Sequence, residues 1–560
     1  MQAKIVANPI APRLRFTLMK IIRPAAFRGV FRTDEEALAV YSEAAGIARV
    51  RPRAIAVPVD VDDLSALVRW ANEAGVPLIP RGSGSSMPGG AIGDGIVVDV
   101  SRWTAIGDVH VESRTIRVGP GAIRADVDRA ARQHGLRFPV DPSSGAFCTI
   151  GGMTSTNAAG AHSMHFGAMR RWVRAIDCVF SDGTRGEVRR GAPPPEIDAI
   201  RRLTSVGGTL VEMDLRNPSR HPGVIKDSSG YGLADFAKSG EIVDLLVGSE
   251  GTLAFFVEIE LDLIPVAATT SSVLGAFATL ESAVKAATAA RQAGAVACEL
   301  LDRTFLDVAA SGGAERQVPA GTESALLAEV EASDARGAAV AAGAIEKIFR
   351  ECGATTARVA LDRTTETELW ELRHAASPIL ARLDPNLRSM QFVEDGAVPP
   401  ANLPAYVRGV RAILEANETR GVIFGHAGDA HVHLNPLVDV GHPDWRTRVR
   451  RILYDVVALT AELRGTLTGE HGDGRLRTPL LNHVWPADVR ERFQAVKDAF
   501  DPVGILNPGV KIGLPRQRAL GDIKYDPQLP SLPAKAKAVL ERVERDRAYC
   551  EFRLALLDDA

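Results

Sequence analysis

The chain has 560 residues and a mass of 59.7 kDa, more than one ordinary domain holds, so we expect two or more domains. Its 66 lysines and arginines nearly balance 69 acids, and a formal net charge of −3 gives no reason to expect a nucleic-acid partner. Five scattered cysteines without a C-x-x-C pair argue against a zinc ribbon or an internal iron–sulfur cluster and favour a reduced, cytoplasmic protein.

Residues 1–50 are predicted to form a basic arm and lead-in. The cations that precede the first acid are Lys4, Arg13, Arg15, Lys20, Arg23, Arg28 and Arg32. The arm is interpreted either as solvated chain or as a peripheral contact with the anionic inner face of a membrane. No run of 18 apolar residues occurs, so we expect no transmembrane helix.

The next elements begin as β-α-β. Residues 54–58 read as a buried strand, 61–73 as a helix by their apolar spacing, and 76–80 as a second strand. Further strands are predicted over 96–100 and 115–118, with a helix over 125–134. The strand over 76–80 runs directly into a glycine- and serine-rich stretch.

That stretch, residues 80–90, is called here the glycine–serine loop. Its candidate ligand-binding residues are Pro80, Arg81, Gly82, Ser83, Gly84, Ser85, Ser86 and Gly90. Glycines let backbone N–H groups approach an anion, and the serines add hydroxyl donors, so the loop is interpreted either as a diphosphate cradle or as a mobile connection. It is not a Walker sequence, and Pro88 stands where a Rossmann helix should begin.

Two more small-residue segments follow, over 141–160 and 248–253. Their candidate cofactor residues are Pro142, Ser143, Thr149, Gly151, Gly152, Thr156, Asn157, Gly160, Glu250 and Gly251. Small residues would let a flat ring system lie against the backbone. Each segment alone could be a set of turns, but three in this order favour one shared ligand.

After Pro265 the pattern changes. Strand-like runs over 273–277 and 325–330 alternate with alanine-rich amphipathic helices over 280–293 and 337–350, which predicts a separate α+β layer. The last 45 residues are predicted to be helical and to lie on the surface.

A histidine-rich motif lies between the predicted α+β layer and the last 45 residues. His426 and His433 flank a tight Gly-Asp connection between two short strands, and Glu470-His471 follows downstream. Two imidazoles and a carboxylate suit Zn²⁺ or Mn²⁺ with positions open for substrate. The spacing alone is weak evidence, and hydrogen-bonded loop histidines are the other interpretation.

Together these motifs resemble the VAO-type flavoproteins, in the branch of D-lactate dehydrogenase, D-2-hydroxyglutarate dehydrogenase and the large glycolate oxidase subunit. The segment from Lys226 to Tyr231 and the closing segment around Asn507 resemble the same branch. The resemblance implies an α+β fold: a PCMH-type FAD-binding domain over 51–265, a ferredoxin-like α+β cap over 266–513, and a tail over 514–560. Because the glycine–serine loop lacks a histidine, we expect FAD to be bound non-covalently.

The resemblance also implies residue roles. His426, His433 and Glu470 would bind the metal, and His471 would be the general base. Arg373 would bind the substrate carboxylate, with Asn435 a further substrate contact and Asn507 a cofactor contact.

Two positions depart from the family. Ala430-His431 stand where relatives usually have Gly-Asn, so His431 is expected to alter the metal site or the substrate pocket. Val393 stands near a lysine of some 2-hydroxyglutarate enzymes, so a second substrate carboxylate would lack one expected partner.

The predicted function is oxidation of a small D-2-hydroxy acid of the D-lactate, glycolate or D-2-hydroxyglutarate class. The chain ends about fifty residues past the family's closing segment with only Cys550 there. We therefore expect electrons to leave to a quinone, a cytochrome, an electron-transfer flavoprotein or a separate iron–sulfur subunit.

Three rival functions stay open. They are flavin-dependent ether-lipid synthesis as in alkyl-glycerone-phosphate synthases, a non-catalytic FAD-binding subunit, and a metallohydrolase without flavin. The histidine motif argues against the first, and Glu470-His471 argue against the second. A colourless purified protein would favour the third.

Overall fold

The structure, a computed structural model, describes residues 21–311, 318–374 and 386–558. Residues 1–20, which carry four of the seven cations of the predicted basic arm, lie outside the described residues. Within the described ranges, no helix is both long and apolar enough to cross a membrane.

The strands vary in length from two residues to nine. In chain order they are β1 Val30–Arg32, β2 Ala48–Arg49, β3 Ala54–Val57, β4 Leu78–Arg81, β5 Ile96–Asp99, β6 Ile106–His110, β7 Thr115–Val118, β8 Leu136–Arg137, β9 Val173–Val179, β10 Arg185–Arg189, β11 Phe255–Asp262, β12 Ile264–Pro265, β13 Thr269–Phe277, β14 Ala297–Asp302, β15 Ser324–Ala332, β16 Ala354–Ala360, β17 Leu387–Ser389, β18 Gly396–Ala397, β19 Arg420–His426, β20 His431–Asp439 and β21 Asp522–Ile523.

The helices lie between these strands and along the C-terminal part of the chain. They are α1 Glu35–Val40, α2 Val61–Ala74, α3 Arg124–Arg132, α4 Ile150–Thr156, α5 Ser163–Phe166, α6 Asp198–Arg216, α7 Leu233–Ser239, α8 Val243–Leu246, α9 Leu280–Gln292, α10 Arg303–Ser311, α11 Ala335–Glu351, α12 Arg363–His374, α13 Leu403–Ala416, α14 Trp445–Glu462, α15 Gly474–Arg477, α16 Ala487–Phe500, α17 Ala534–Asp546 and α18 Glu551–Asp558.

The first sheet has the strand order β1-β3-β5-β4, with β3 and β4 both parallel to β5. Asp60 caps the start of helix α2 with a side chain that accepts the N–H of Asp63, and Gly75 caps its end in the left-handed conformation. The predicted β-α-β start is confirmed within two residues at each boundary. Because β4 ends at Arg81, the glycine–serine loop starts at the carboxyl edge of this sheet.

The second sheet has the order β10-β9-β11-β7-β6 and is antiparallel. Helices α6 and α16 pack against each other beside it, and their apolar residues join its core. Helix α16 belongs to the C-terminal half of the chain, so the chain returns to this region after the third sheet is complete. The backbone N–H of Leu78 then donates to the carbonyl of Ile505.

The third sheet has the order β16-β13-β15-β14-β19-β20-β17, with β18 paired to β20. Its first four strands, with α9 and α11, form a β-α-β-β-α-β unit, the ferredoxin-like arrangement. The expected ferredoxin-like α+β layer is thus confirmed. The divisions at residues 50, 265 and 513 stay predictions.

The C-terminal segment is helical as predicted, but it does not simply lie on the surface. Ala536, Leu556 and Leu557 are buried in one cluster with α1 and with β3, β4 and β5 of the first sheet. Arg553 is only 2% exposed, and its guanidinium donates to the carbonyls of Tyr549 and Glu43. The expectation of a surface-lying tail was therefore wrong for these residues.

Candidate active site

A cavity of about 1910 Å³ lies between the first two sheets and the third sheet. Ligand pockets typically measure about 300–1,000 Å³, so this one has room for a dinucleotide and a small substrate together. The predicted cofactor residues that line it are Pro80, Arg81, Gly82, Ser83, Gly84, Ser85, Ser86, Gly90, Pro142, Ser143, Gly151, Gly152, Thr156, Gly160, Glu250 and Gly251. The predicted substrate and metal residues that line it are Arg373, His426, His433, Asn435, Glu470 and His471.

The glycine–serine loop fits an anionic ligand. Gly84 has a φ of +73°, and a Cβ there would lie 2.4 Å from an Arg81 guanidinium nitrogen. The Arg81 guanidinium donates to the carbonyls of Glu43 and Ala91 and so supports the loop from beneath. The Oγ of Ser86 is buried without a hydrogen-bond partner among the described residues, as expected of a donor reserved for a ligand.

Three predicted cofactor residues support the cavity rather than line it. Thr149 caps α4 by accepting the N–H of Gly152. Asn157 ends α4 in the left-handed conformation, and its side chain accepts the N–H of Arg170. The amide of Asn507 donates to the carbonyls of Gly90 and Glu250, which joins two of the small-residue segments.

Glu250 connects the cofactor side of the cavity to the histidine side. Its carboxylate accepts the N–H groups of Asp473 and Gly474 and lies 3.0 Å from the Nζ of Lys511. Lys511 also pairs with Asp473 at 3.0 Å. The loop that carries Glu470 and His471 is thereby held against the 248–253 segment.

The predicted metal ligands converge from two elements of the third sheet and one loop. His426 ends β19 and His433 lies on β20, so the hairpin between them brings both rings to one place. The Nε2 atoms of the two rings are 3.4 Å apart, and Glu470 Oε1 lies 3.4 Å from His426 Nε2 and 3.3 Å from His433 Nε2.

This triangle fits a divalent transition metal. Ligand atoms about 2.0–2.1 Å from a tetrahedral centre are about 3.3–3.4 Å apart, which is the separation found here. The outer Nδ1 atoms are held by acceptors, Glu299 Oε1 at 2.5 Å from His426 and the Glu394 carbonyl at 3.1 Å from His433. This arrangement of outer partners is typical of metal-binding histidines.

Charges around the triangle set its protonation. Burial opposes charge on His426, but Glu299 and Glu470 raise its pKa to about 9. Burial would raise the pKa of Glu470, yet Lys226, 2.6 Å away, and His426 hold it well below its usual range. A metal would have to displace the His426 proton, so its affinity should fall as the pH falls.

His471 lies beside the triangle and faces the cavity. Its Nδ1 is 3.2 Å from Glu394 Oε1, and its side chain is 27% exposed. Burial lowers its pKa, but the neighbouring Asp395 and Glu394 raise it overall. With Nδ1 occupied, Nε2 is the atom available to a substrate.

His431, unlike His471, does not face the cavity. Its side chain is fully buried, its Nε2 lies 2.8 Å from Asp395 Oδ1, and it does not line the cavity. Its ring nevertheless packs 4.6 Å from the ring of His433. His431 also offers a possible ligand atom within 4.8 Å of those of His426, His433 and Glu470. The expectation that it alters the metal site or the substrate pocket stays a prediction, and this position favours the metal site.

Arg373 and Asn435 complete the predicted substrate side. Arg373 lies near the end of α12, its guanidinium 4.6 Å from the ring centre of Phe424, and its Nε donates to Glu299 Oε2 at 2.7 Å. Asn435 lies on β20 and accepts a hydrogen bond from Gln391. The residues that follow α12, 375–385, are not described.

Comparisons with known proteins agree with this geometry. Residues 267–510 match the family described as FAD linked oxidases, C-terminal domain, and residues 52–189 match the family described as FAD binding domain. A D-lactate dehydrogenase of Archaeoglobus fulgidus is 30% identical over 82% of this chain and 92% of its own length. The chain belongs to the FAD-linked oxidase family.

A second relative and two solved structures are also similar to this FAD-linked oxidase. The glycolate oxidase subunit GlcD of Bacillus subtilis is 29% identical over 82% of this chain and 88% of its own. Two solved structures share the fold at 15% identity. A 4-ethylphenol oxidase from Gulosibacter chungangensis has a TM-score of 0.63 over 87% of this chain and 95% of its own. An alkyldihydroxyacetonephosphate synthase has a TM-score of 0.59 over 85% of this chain and 82% of its own.

The expected family, fold class and FAD cofactor of this FAD-linked oxidase are thereby confirmed, which removes a flavin-free hydrolase from the rivals. The individual site residues stay predictions that the geometry brings together. Sequence analysis missed Glu299, Glu394 and Asp395, the acids that hold the histidines and Arg373. One signal was present: Glu299 is an acid inside the otherwise apolar run 296–301.

Proposed function

We propose that this FAD-linked oxidase oxidises a small D-2-hydroxy acid to the 2-oxo acid. The observation that carries the proposal is the shared cavity. His426, His433 and Glu470 form a metal-sized triangle, and His471 and Arg373 border the same space as the glycine–serine loop. The oxidation removes a hydride from C2 and a proton from the hydroxyl group.

Each proposed cofactor would be held by its own set of residues in the cavity. FAD would be held non-covalently by the glycine–serine loop and the 141–160 segment, and Zn²⁺ or Mn²⁺ by His426, His433 and Glu470. When bound, FAD supplies the hydride acceptor and the metal supplies a Lewis acid for the hydroxyl oxygen.

The residues of the chain bind and deprotonate the substrate. Arg373 binds the carboxylate, because a planar guanidinium matches its two oxygens. His471 accepts the hydroxyl proton at Nε2, while Glu394 holds its Nδ1. Asn435 borders the same space and offers a polar amide to the substrate.

The substrate class follows the relatives, one named D-lactate dehydrogenase and another glycolate oxidase subunit. Val393, near the position of a lysine in some relatives, packs in the core and does not line the cavity, so it supplies no partner for a second substrate carboxylate. Reoxidation would fall to a quinone, a cytochrome, an electron-transfer flavoprotein or a separate iron–sulfur subunit. A cytoplasmic location stays a prediction, as does membrane contact through the basic arm.

The cofactor proposals are tested on the purified protein. It should be yellow and should release FAD into the supernatant after acid precipitation. Flavin retained on the denatured chain would refute non-covalent binding.

The metal proposal needs a separate measurement. His426→Ala should lose bound metal but keep FAD, because the triangle and the glycine–serine loop are different segments. His165→Ala, outside the cavity lining, is the control and should keep both. If chelation and His426→Ala both leave turnover intact, the metal has no catalytic role.

A further inference from the structure

Glu299 lies at the centre of the third sheet, between the metal triangle and the predicted carboxylate-binding arginine. It is on β14, where its register partner on β19 is His426, so the two side chains lie on the same face. Its side chain is 1% exposed. An acid buried this deeply requires partners for both carboxylate oxygens.

Each oxygen has a different partner. Oε1 lies 2.5 Å from His426 Nδ1, and Oε2 accepts the Nε–H of Arg373 at 2.7 Å. One carboxylate thus bridges a predicted metal ligand and a predicted substrate ligand.

The bridge determines which atoms are left for ligands. With Nδ1 of His426 occupied, its Nε2 points to the triangle. With Nε of Arg373 occupied, the two terminal nitrogens of the guanidinium donate to no other residue in the described part of the chain and remain for a carboxylate. The ring of Phe424 packs against the same guanidinium at 4.6 Å and restricts its rotation.

We propose that Glu299 is a positioning residue that couples metal binding to recognition of the substrate carboxylate. This inference rests on the proposed function. A 2-hydroxy acid carries its hydroxyl and carboxylate groups on adjacent carbons, so a metal site and a guanidinium held at one separation recognise the two groups together. Both carboxylate oxygens of Glu299 are already engaged, so Glu299 fixes that separation through His426 and Arg373.

The test is Glu299→Gln, which keeps the size of the side chain but removes its charge and cannot accept both hydrogen bonds. Zn²⁺ affinity, measured by competition with a chromophoric chelator, should fall about 10–100-fold, as for other partners of metal-binding histidines. The KM for D-lactate should rise about 10–100-fold, the loss expected for one hydrogen bond between charged groups. FAD content and unfolding temperature should stay near the wild-type values.

Asp302→Asn is the matched control. Asp302 lies on the same strand β14, is fully buried and pairs with an arginine, Arg411, but it lies outside both the cavity lining and the metal triangle. Its removal should leave both Zn²⁺ affinity and KM within twofold of wild type. A purely structural role for buried carboxylates on this sheet would instead move both variants alike and would contradict the proposal.

Coupling is tested by a double-mutant cycle. Because Glu299 acts on the substrate through Arg373, the Glu299→Gln change should raise KM much less in the Arg373→Met protein than in the wild-type protein. If Glu299→Gln fails to fold, Glu299→Asp, which keeps the charge with a shorter reach, should give intermediate shifts in both quantities.

The outcomes separate this inference from the proposed function. Wild-type protein that neither binds Zn²⁺ nor reacts with any D-2-hydroxy acid would overturn the proposed function, and the inference with it. Wild-type protein that does both, with Zn²⁺ affinity and KM unchanged in Glu299→Gln, would overturn the inference alone. A change in only one of the two quantities would also refute coupling.

Discussion

At the scale of residues, His471 and Arg373 have separate tasks in the proposed reaction. His471 faces the cavity with Nδ1 held by Glu394, which suits a group that accepts a proton at Nε2. His431, by contrast, is fully buried and held by Asp395. The two histidines differ by exposure and partners, which spacing in the sequence does not reveal.

His471→Asn should slow flavin reduction about 10²–10⁴-fold at saturating substrate, because asparagine keeps polar volume without supplying a base. Rapid mixing under anaerobic conditions isolates this half-reaction from reoxidation. FAD content should not change, and His165→Asn should reduce flavin at the wild-type rate. An unchanged rate in His471→Asn would mean that another residue is the base.

Arg373→Met should instead weaken binding. Loss of a charged partner for the substrate carboxylate typically costs about 2–5 kcal/mol. The dissociation constant from the concentration dependence of flavin reduction should rise accordingly, while the limiting rate changes less. Arg358→Met, whose side chain is 47% exposed on β16 and lies outside the cavity lining, serves as the control. Equal binding in Arg373→Met and wild type would remove Arg373 from the substrate site.

At the scale of elements, local patterns predicted the site well where its residues are close in sequence. The β19–β20 hairpin was predicted from two short apolar runs around Gly-Asp, and its pairing brings His426 and His433 together. Glu299 comes from β14, far away in the chain, and meets His426 only because β14 pairs with β19. Strand order depends on packing of the whole sheet, so spacing could not predict this contact.

The glycine–serine loop gives a prediction at the same scale. Gly84→Ala forces an alanine to a φ of +73° and places its Cβ against the buried Arg81 guanidinium. FAD should bind roughly tenfold or more weakly, the equivalent of about 1.4 kcal/mol or more. Retained FAD can be measured by fluorescence after dialysis.

Gly135→Ala is a matched control for the glycine–serine loop. Gly135 has a φ of +71°, and a Cβ there meets no atom within 4 Å. Both variants carry a similar backbone strain of about 1–3 kcal/mol, but only Gly84→Ala disturbs the loop. FAD loss of equal size in both would show that global destabilisation, not the loop, controls cofactor affinity.

At the scale of the whole molecule, the C-terminal segment is part of the core that supports the cofactor side. Its helical spacing was readable from the sequence, but its burial was not, because the surface it covers belongs to α1 and the first sheet. Arg553 illustrates the difficulty. A buried arginine looks like a surface residue in the sequence until its carbonyl partners are known.

Leu556→Ala should therefore destabilise the protein. Leu556 is 2% exposed, and removal of a buried leucine side chain typically costs about 2–5 kcal/mol. Leu514→Ala, at a 37% exposed position of the same segment, should change stability by less than about 0.5 kcal/mol. Chemical denaturation monitored by tryptophan fluorescence compares them. Equal stability of the two variants would contradict the docking of this segment.

The proposed reaction requires one cavity to join FAD, a metal triangle and a carboxylate-binding arginine around a D-2-hydroxy acid. The most direct measurement mixes the oxidised protein anaerobically with matched D- and L-2-hydroxy acids and follows the flavin absorbance. We predict bleaching by at least one D acid, little bleaching by its L enantiomer, and slower bleaching after metal removal. A flavin that dithionite reduces but no D-2-hydroxy acid bleaches would contradict the account.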